Sequence, residues 1–172
     1  MHPLATLAKS AVEGFLIERN TIAPPKSIPQ EYLKKMSGVF VTIKKDGELR
    51  GCIGTYAPTQ ENIAQEVIHN AIDAAVNDPR FDPIGPDELT KLSYEIYILD
   101  KPETVAWMNN LDPKVYGVIV CSAKGRKSGL LLPGLDGIDT IEQQLAVACQ
   151  KAGINPNTEK ISVFRFRAEK FS

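Results

Sequence analysis

Apolar residues recur along this chain with a helical period in three places. Between Leu4 and Arg19 they stand three or four positions apart, which predicts an amphipathic helix with one buried face. The same spacing continues from Thr59, a residue suited to cap a helix, to about Asn77. Asp139-Thr140-Ile141-Glu142 has the form of a capping box, and Gly153 is suited to end the helix that it begins.

Alternating and β-branched segments predict the strands. Val39–Lys44 and Leu49–Tyr56 flank Asp46-Gly47, a dipeptide typical of two-residue hairpin turns. Leu92–Leu99 places Leu92, Tyr94, Ile96 and Ile98 on one face, as expected for a strand. Three later segments have strand character: Val115–Ser122, Gly129–Leu132 and Ile161–Arg167. Strands grouped into hairpins and separated by helices predict an α+β fold, with a mixed, largely antiparallel sheet flanked by helices.

Composition narrows the class of protein. The 172 residues are enough for a single domain, and 20 Lys plus Arg against 21 Asp plus Glu leave a net charge of -1. Nucleic-acid binding would therefore need a local basic patch. No stretch approaches the roughly 18 apolar residues of a membrane span, and three widely spaced cysteines suggest reduced thiols in the cytoplasm. With two histidines and no paired-cysteine motif, we expect neither a metal site nor a cofactor.

Leu49-Arg50-Gly51-Cys52-Ile53-Gly54 is the most unusual segment, because glycine is unfavourable inside a strand unless something approaches the backbone closely. Cys52 is a candidate nucleophile, and Arg50, Gly51 and Gly54 are candidate ligand-binding residues. The alternative is a structural thiol. If Asp46-Gly47 forms a two-residue turn, Cys52 pairs with Val41 and its thiol lies on the core face of the strand.

Two charged corners have similar alternatives. Asp78-Pro79-Arg80-Phe81 is either a rigid turn, with Asp78 accepting backbone hydrogen bonds, or a site where Arg80 binds a carboxylate or phosphate. Lys124-Gly125-Arg126-Lys127 is either a solvated hairpin tip or an anion site that includes Arg126. His69 is expected to point outward near Asp73, which argues against a dyad with Cys52.

The chain resembles the AMMECR domain family in three motifs and in their order. The motifs are the Leu49–Gly54 segment, Asp78–Phe81 and Ser128-Gly129-Leu130-Leu131-Leu132-Pro133. Gly137–Gln144 resembles its bacterial branch, called AmmeMemoRadiSam system protein A. The resemblance implies an α+β domain with a larger and a smaller subdomain around a cleft. It also implies association with a Memo-like protein and a radical SAM protein, but no assigned reaction.

These observations support three hypotheses about function. The first is a cytoplasmic accessory or binding module that acts with Memo-like and radical SAM partners. Its ligand would be anionic, because the residues expected to line the cleft are mainly arginines: Arg50, Cys52, Asp78, Arg80 and Arg126. The second is an enzyme that uses the Cys52 thiolate on an anionic small molecule or protein. The third, a nucleic-acid-associated regulator, is disfavoured by the net charge.

Overall fold

The structure, a computed structural model, describes all residues from Met1 to Ser172 and confirms the α+β class. The α-helices are α1 (Pro3–Glu18), α2 (Gln30–Lys34), α3 (Ile63–Val76) and α4 (Ile141–Ala152). The strands are β1 (Val39–Lys45), β2 (Glu48–Thr55), β3 (Leu92–Leu99), β4 (Glu103–Thr104), β5 (Gly117–Ser122), β6 (Ser128–Leu131), β7 (Ile161–Phe166) and β8 (Ala168–Phe171). Short 3₁₀ helices span Pro86–Lys91 and Met108–Asn110. None of the helices combines the length and apolar character needed to cross a bilayer.

The strands form two four-stranded sheets instead of the single sheet expected from the sequence. The chain divides into two compact units, the first comprising Met1–Ile98 with Glu169–Ser172 and the second Leu99–Ala168. In the first sheet, β1 pairs antiparallel with β2 and with β3. In the second, β7 pairs antiparallel with β4 and with β5, and β5 also pairs antiparallel with β6. The expectation of largely antiparallel pairing is therefore confirmed.

In the first unit the sheet order is β2-β1-β3-β8, and α3 packs on β1 and β2 and against α1. Alternate residues of β1 and β3 face these helices and are fully or almost fully buried: Val39, Val41, Ile43, Tyr94 and Ile96. Helix α3 begins at Ile63 with Asn62 as its cap, three residues later than the predicted cap Thr59. Thr59 does not cap it, because its N–H and hydroxyl both donate to the Glu66 carboxylate.

The first hairpin contains a β-bulge that the sequence did not reveal. Asp46 and Gly47 form the predicted turn with φ of 52° and 90°, and Lys44 pairs with Leu49. The next pair is Ile43 with Gly51, so Arg50 is the extra residue of the bulge. The predicted pairing of Cys52 with Val41 is therefore wrong. Cys52 lies opposite Thr42, and its side chain is on the sheet face that points away from the helices.

In the second unit the sheet order is β4-β7-β5-β6, with α4 packed on β5 and β6. Its core includes Val118, Val120, Leu131 and Val163. The helix ends at Gly153 in the left-handed region (φ 64°), as predicted. The capping box is shifted by one residue from the prediction, because Thr140 and Gln143 form it in place of Asp139 and Glu142.

Candidate functional site

Arg50 is turned away from the strand by the bulge and is held by the segment that follows α3. Its Nε donates to Glu88 Oε2 at 3.0 Å and its Nη2 to Glu88 Oε1 at 2.9 Å. Its Nη1 donates to the Asp82 carbonyl at 2.8 Å. All three guanidinium nitrogens therefore have protein acceptors, and this side chain is only 16% exposed. An anion would have to compete with Glu88 for Arg50.

Glu88 is the centre of this cluster of charges. Besides the two hydrogen bonds from Arg50, it accepts one from Lys45 Nζ at 2.8 Å. The hydrogen bonds from Arg50 and Lys45 lower the pKa of Glu88 from 4.5 to about 2, against the opposing effect of burial. Hydrogen bonding to Glu88 likewise raises the pKa of Arg50. The bulge is thus held to the 3₁₀ helix Pro86–Lys91 by a charge-assisted bidentate pair.

Asp78 and Arg80 bind the backbone of Cys52 at the outer edge of β2, which is an end strand of its sheet. The Cys52 N–H donates to Asp78 Oδ2 at 2.8 Å, and Arg80 Nη2 donates to the Cys52 carbonyl at 3.2 Å. Arg80 also donates to both Asp78 oxygens, at 3.0 Å and 2.8 Å. Burial acts to raise the pKa of Asp78, but the hydrogen bonds from Arg80 and the Cys52 N–H outweigh it and lower the pKa.

The two glycines of the Leu49–Gly54 segment are explained by close contacts within the protein. A Cβ added at Gly51 would overlap the carbonyl oxygen of Ala74, so glycine lets α3 approach the strand. A Cβ added at Gly54 would overlap the ring of Phe40. Their assignment to ligand binding stays a prediction, but both are required by packing alone.

The Cys52 thiol is half-buried on the polar face of the first sheet. Its Sγ lies 3.3 Å from Thr42 Oγ1. Further along this face, Glu95 accepts hydrogen bonds from Lys44 Nζ and from the Tyr97 hydroxyl, at 2.9 Å and 3.2 Å. His69 is exposed and lies 3.6 Å from Asp73, as predicted, with no part in this arrangement.

Arg126 belongs to the second unit, where it lines a cavity of about 470 Å³ beside the β5–β6 turn. We call this the basic cavity; its lining residues are Ser122, Ala123, Lys124, Arg126, Lys127, Thr158, Glu159 and Lys160. Lys127 Nζ binds the Glu159 carboxylate at 2.9 Å. Each of the other three cations lacks a hydrogen-bonding or ionic partner in the protein. The lining therefore carries an excess of unpaired positive charge.

Comparison with known proteins identifies the family. The AMMECR1 family model matches residues 5–171. The chain belongs to the AMMECR1 family. A relative from Thermotoga maritima is 46% identical over 171 residues, which are 99% of this chain and 97% of that protein. Another relative of this AMMECR1-family chain, from Clostridium acetobutylicum, is 46% identical over 91% of the chain, but the match spans only 33% of that longer protein.

A solved structure has the same fold as this AMMECR1-family chain. The crystal structure of an uncharacterized protein from Pyrococcus horikoshii is 36% identical, with a TM-score of 0.89, and the match covers 97% of this chain and 88% of that one. The structure of this AMMECR1-family chain brings together Arg50, Cys52, Asp78 and Arg80 in neighbouring clusters of the first unit. It places Arg126 in the basic cavity of the second unit.

Sequence reasoning missed Lys160 and Thr158 as residues of the basic cavity. Both come more than 30 positions after Arg126 in this AMMECR1-family chain. They reach the turn because β7 pairs with β5, and the Ala123 N–H donates to the Lys160 carbonyl at 2.9 Å. The predicted start of the last strand at Ile161 was the sequence feature that could have placed Lys160 at this end of the sheet. No group of three or more His, Cys, Asp or Glu side chains is placed to hold a metal ion.

Proposed function

We propose that this protein is a cytoplasmic accessory module that acts with Memo-like and radical SAM proteins and binds an anionic ligand in the basic cavity. One observation carries the proposal: Lys124, Arg126 and Lys160 line one cavity without protein partners for their charges. Among the predicted ligand-binding arginines, Arg50 and Arg80 are paired with carboxylates. Arg126 is the one whose charge is free for a ligand.

The charge balance of the basic cavity favours a multiply charged anion. Four cationic side chains and a single carboxylate, Glu159, line it. Like charges around one hollow repel each other, and a bound anion removes that repulsion while gaining charge-assisted hydrogen bonds. The Ser122 hydroxyl, which accepts from the Lys127 N–H, keeps its own proton as a neutral donor in the lining, whereas the Thr158 hydroxyl donates to the Asn155 carbonyl at 3.5 Å.

The Clostridium acetobutylicum relative supports action beside another protein. The matched stretch is 33% of that chain, so about two thirds of it lies outside the match. A domain joined to a larger polypeptide in one organism is well suited to act beside a separate polypeptide in another. The family resemblance supplies the identity of the proposed partners, the Memo-like and radical SAM proteins.

The test of the ligand site is a calorimetric titration with inorganic pyrophosphate. We expect the wild type to bind it with a salt-dependent affinity, and the double variant Arg126→Ala/Lys160→Ala to bind at least tenfold more weakly. Lys26→Ala removes an exposed cation of the first unit and serves as the matched control, with unchanged affinity. Equal binding by all three proteins, or none by the wild type, would contradict the assignment of the cavity.

The test of the partners is co-purification with the Memo-like and radical SAM proteins encoded in the same genome. We expect both to be retained by the wild type and by Lys26→Ala. Failure to retain either partner at low salt would refute this part of the proposal, whatever the result with pyrophosphate.

A second candidate, a Cys52-dependent enzyme acting on an anionic small molecule or protein, is favoured by the bulge, which takes the thiol off the core face. Arg80 contributes a cationic group to this neighbourhood through its bond to the Cys52 carbonyl. We expect such an enzyme to be alkylated by iodoacetamide at Cys52 faster than a model thiol at neutral pH, and Thr42→Val to change that rate. Alkylation at or below the rate of the model thiol would eliminate this candidate.

A further inference from the structure

A second, smaller cavity in the second unit surrounds Tyr116 and has a different charge pattern. Its volume is about 220 Å³, below the roughly 300 Å³ at which pockets for drug-sized ligands begin. We call it the Tyr116 pocket; its polar lining residues are Asp100, Lys101, Glu103, Tyr116, Arg165 and Arg167. None of these residues lines the basic cavity.

One wall of the Tyr116 pocket is fixed by Arg165. Its guanidinium carbon lies 4.3 Å from the centre of the Tyr116 ring. Its Nε and Nη2 donate to Glu103 Oε2 at 3.2 Å and 3.1 Å, and its Nη1 donates to the Asn110 carbonyl at 2.7 Å. Arg165 and Glu103 therefore satisfy each other, and neither is the group that a ligand would bind first.

Arg167 and Lys101 supply the free positive charge. Arg167 Nη2 donates to the Tyr116 hydroxyl at 3.3 Å, and the rest of its guanidinium has no protein acceptor. Lys101 Nζ has no protein partner. The hydrogen bond from Arg167 lowers the pKa of Tyr116; burial opposes it, and the nearby charges of Arg165 and Arg167 add to the lowering. This end of the pocket is suited to a carboxylate.

Asp100 supplies a free negative charge directly beside Arg167. The Asp100 N–H donates to the Arg167 carbonyl at 2.8 Å, so the two residues are neighbours across the chain. The hydrogen bond to Tyr116 and, to a smaller extent, the charge of Asp100 raise the pKa of Arg167. The two side chains nevertheless form no salt bridge, and the Asp100 carboxylate accepts no hydrogen bond. A cation and an anion that lie close together without forming an ion pair can bind the two oppositely charged ends of one short ligand. A phosphate has no cationic group to place against Asp100 and would be repelled by that carboxylate.

From this arrangement we infer that the Tyr116 pocket binds a free amino acid, with its carboxylate on Arg167 and Lys101 and its ammonium group on Asp100. The inference is independent of the anion proposed for the basic cavity. It adds a small-molecule site of a different chemical class to the same unit.

The experiment is saturation-transfer NMR on the full chain with an equimolar mixture of the common amino acids as the probe, and acetate and inorganic phosphate as separate samples. We expect signals from at least one amino acid, and at least tenfold weaker binding of that amino acid to Arg167→Ala and to Asp100→Asn. Tyr116→Phe keeps the ring under Arg165 and should weaken binding severalfold. Arg126→Ala should leave it unchanged, which separates this result from a failure of the basic cavity.

Two results would overturn the inference. One is the absence of any amino-acid signal with the wild type. The other is binding of acetate or phosphate that is as strong as that of every amino acid and is unaffected by Asp100→Asn. In that case the pocket would be a simple anion site, and the ammonium contact would not exist.

Discussion

The protein contains two regions with clustered basic residues that use their charges in opposite ways. In the first unit, Arg50 and Arg80 each bind a carboxylate in a bidentate manner, and Asp78 is only 2% exposed. In the second unit, Arg126 is exposed and faces the basic cavity without a partner. The unusual Leu49–Gly54 segment is thus held by internal ion pairs, while the β5–β6 turn carries cations without partners.

Whether a charged side chain is paired within the protein, more than its residue type, determines whether it stabilises the fold or is available to a ligand. A largely buried carboxylate loses its hydration and must be compensated by hydrogen bonds, so removal of its partner is costly. An exposed cation keeps its water and contributes little to stability. Substitutions in the two regions should therefore differ sharply in their effect on the free energy of unfolding.

The largest effect is expected from Asp78→Ala. This variant leaves the Cys52 N–H without its acceptor and Arg80 without its counter-charge. We expect the free energy of unfolding to fall by about 3 kcal/mol. Urea denaturation followed by circular dichroism measures it, with Asp82→Ala as the control, because the hydrogen bond from Arg50 to Asp82 uses the backbone carbonyl and the Asp82 carboxylate adds only its charge. Equal losses in both variants would contradict the pairing described here.

Glu88 should give the first unit an acid-sensitive component of stability. Its pKa is about 2 in the folded protein against an ordinary 4.5, so its ionised form stabilises the fold above about pH 4.5. That contribution is lost as the pH falls from about 4.5 to about 2. Allowing for screening at the partly exposed Lys45, we expect it to be about 2 kcal/mol.

The measurement is the pH dependence of unfolding for the wild type and for Glu88→Gln. The difference in stability between them should be largest near neutral pH and should shrink as acid is added. A difference that stays constant down to about pH 2 would show that the charge of Glu88 makes no contribution.

Gly51→Ala should be destabilising by about 1–2 kcal/mol, because the added methyl group meets the Ala74 carbonyl of α3. Glu48→Ala, on an exposed position of the same strand, should change stability by less than about 0.5 kcal/mol. Thermal unfolding of both variants makes the comparison. A Gly51→Ala protein as stable as the wild type would mean that α3 and β2 are less tightly packed than the structure shows.

The smallest effect is expected from Arg126→Ala in the basic cavity. With no protein partner to lose, its free energy of unfolding should lie within about 0.5 kcal/mol of the wild type. The same urea titration serves, with Arg50→Ala as the contrasting variant in the first unit. A loss of stability comparable to that of Arg50→Ala would remove the distinction between the two regions.

The sequence predicted what depends on local spacing and missed what depends on distant partners. The helix α1, the strand β3 and the end of α4 at Gly153 follow from patterns within a few residues. The bulge at Arg50 could not be predicted, because its guanidinium binds Glu88, 38 positions further along the chain. The elements α2, β4 and β8 have five, two and four residues, too few to show a period.

The candidate site shows the same division. Arg50, Cys52, Asp78 and Arg80 could be named from their motifs, but the turn-based register put Cys52 on the wrong face. Thr59 was misassigned as a helix cap for a related reason. The Glu66 carboxylate, in the first turn of α3, is buried and accepts hydrogen bonds from Thr55, Thr59 and Gln60, which hold Thr59 beside the helix without placing it at the cap position.

The hydrogen bonds that join Asp78 and Arg80 to the Cys52 backbone also affect how other molecules can associate with the first unit. An end strand with free N–H and carbonyl groups is a template on which a foreign strand can assemble. Here the middle of that template is already occupied by side chains of the same molecule. Strand addition at Cys52 is therefore disfavoured, and the protein is protected there from edge-to-edge aggregation.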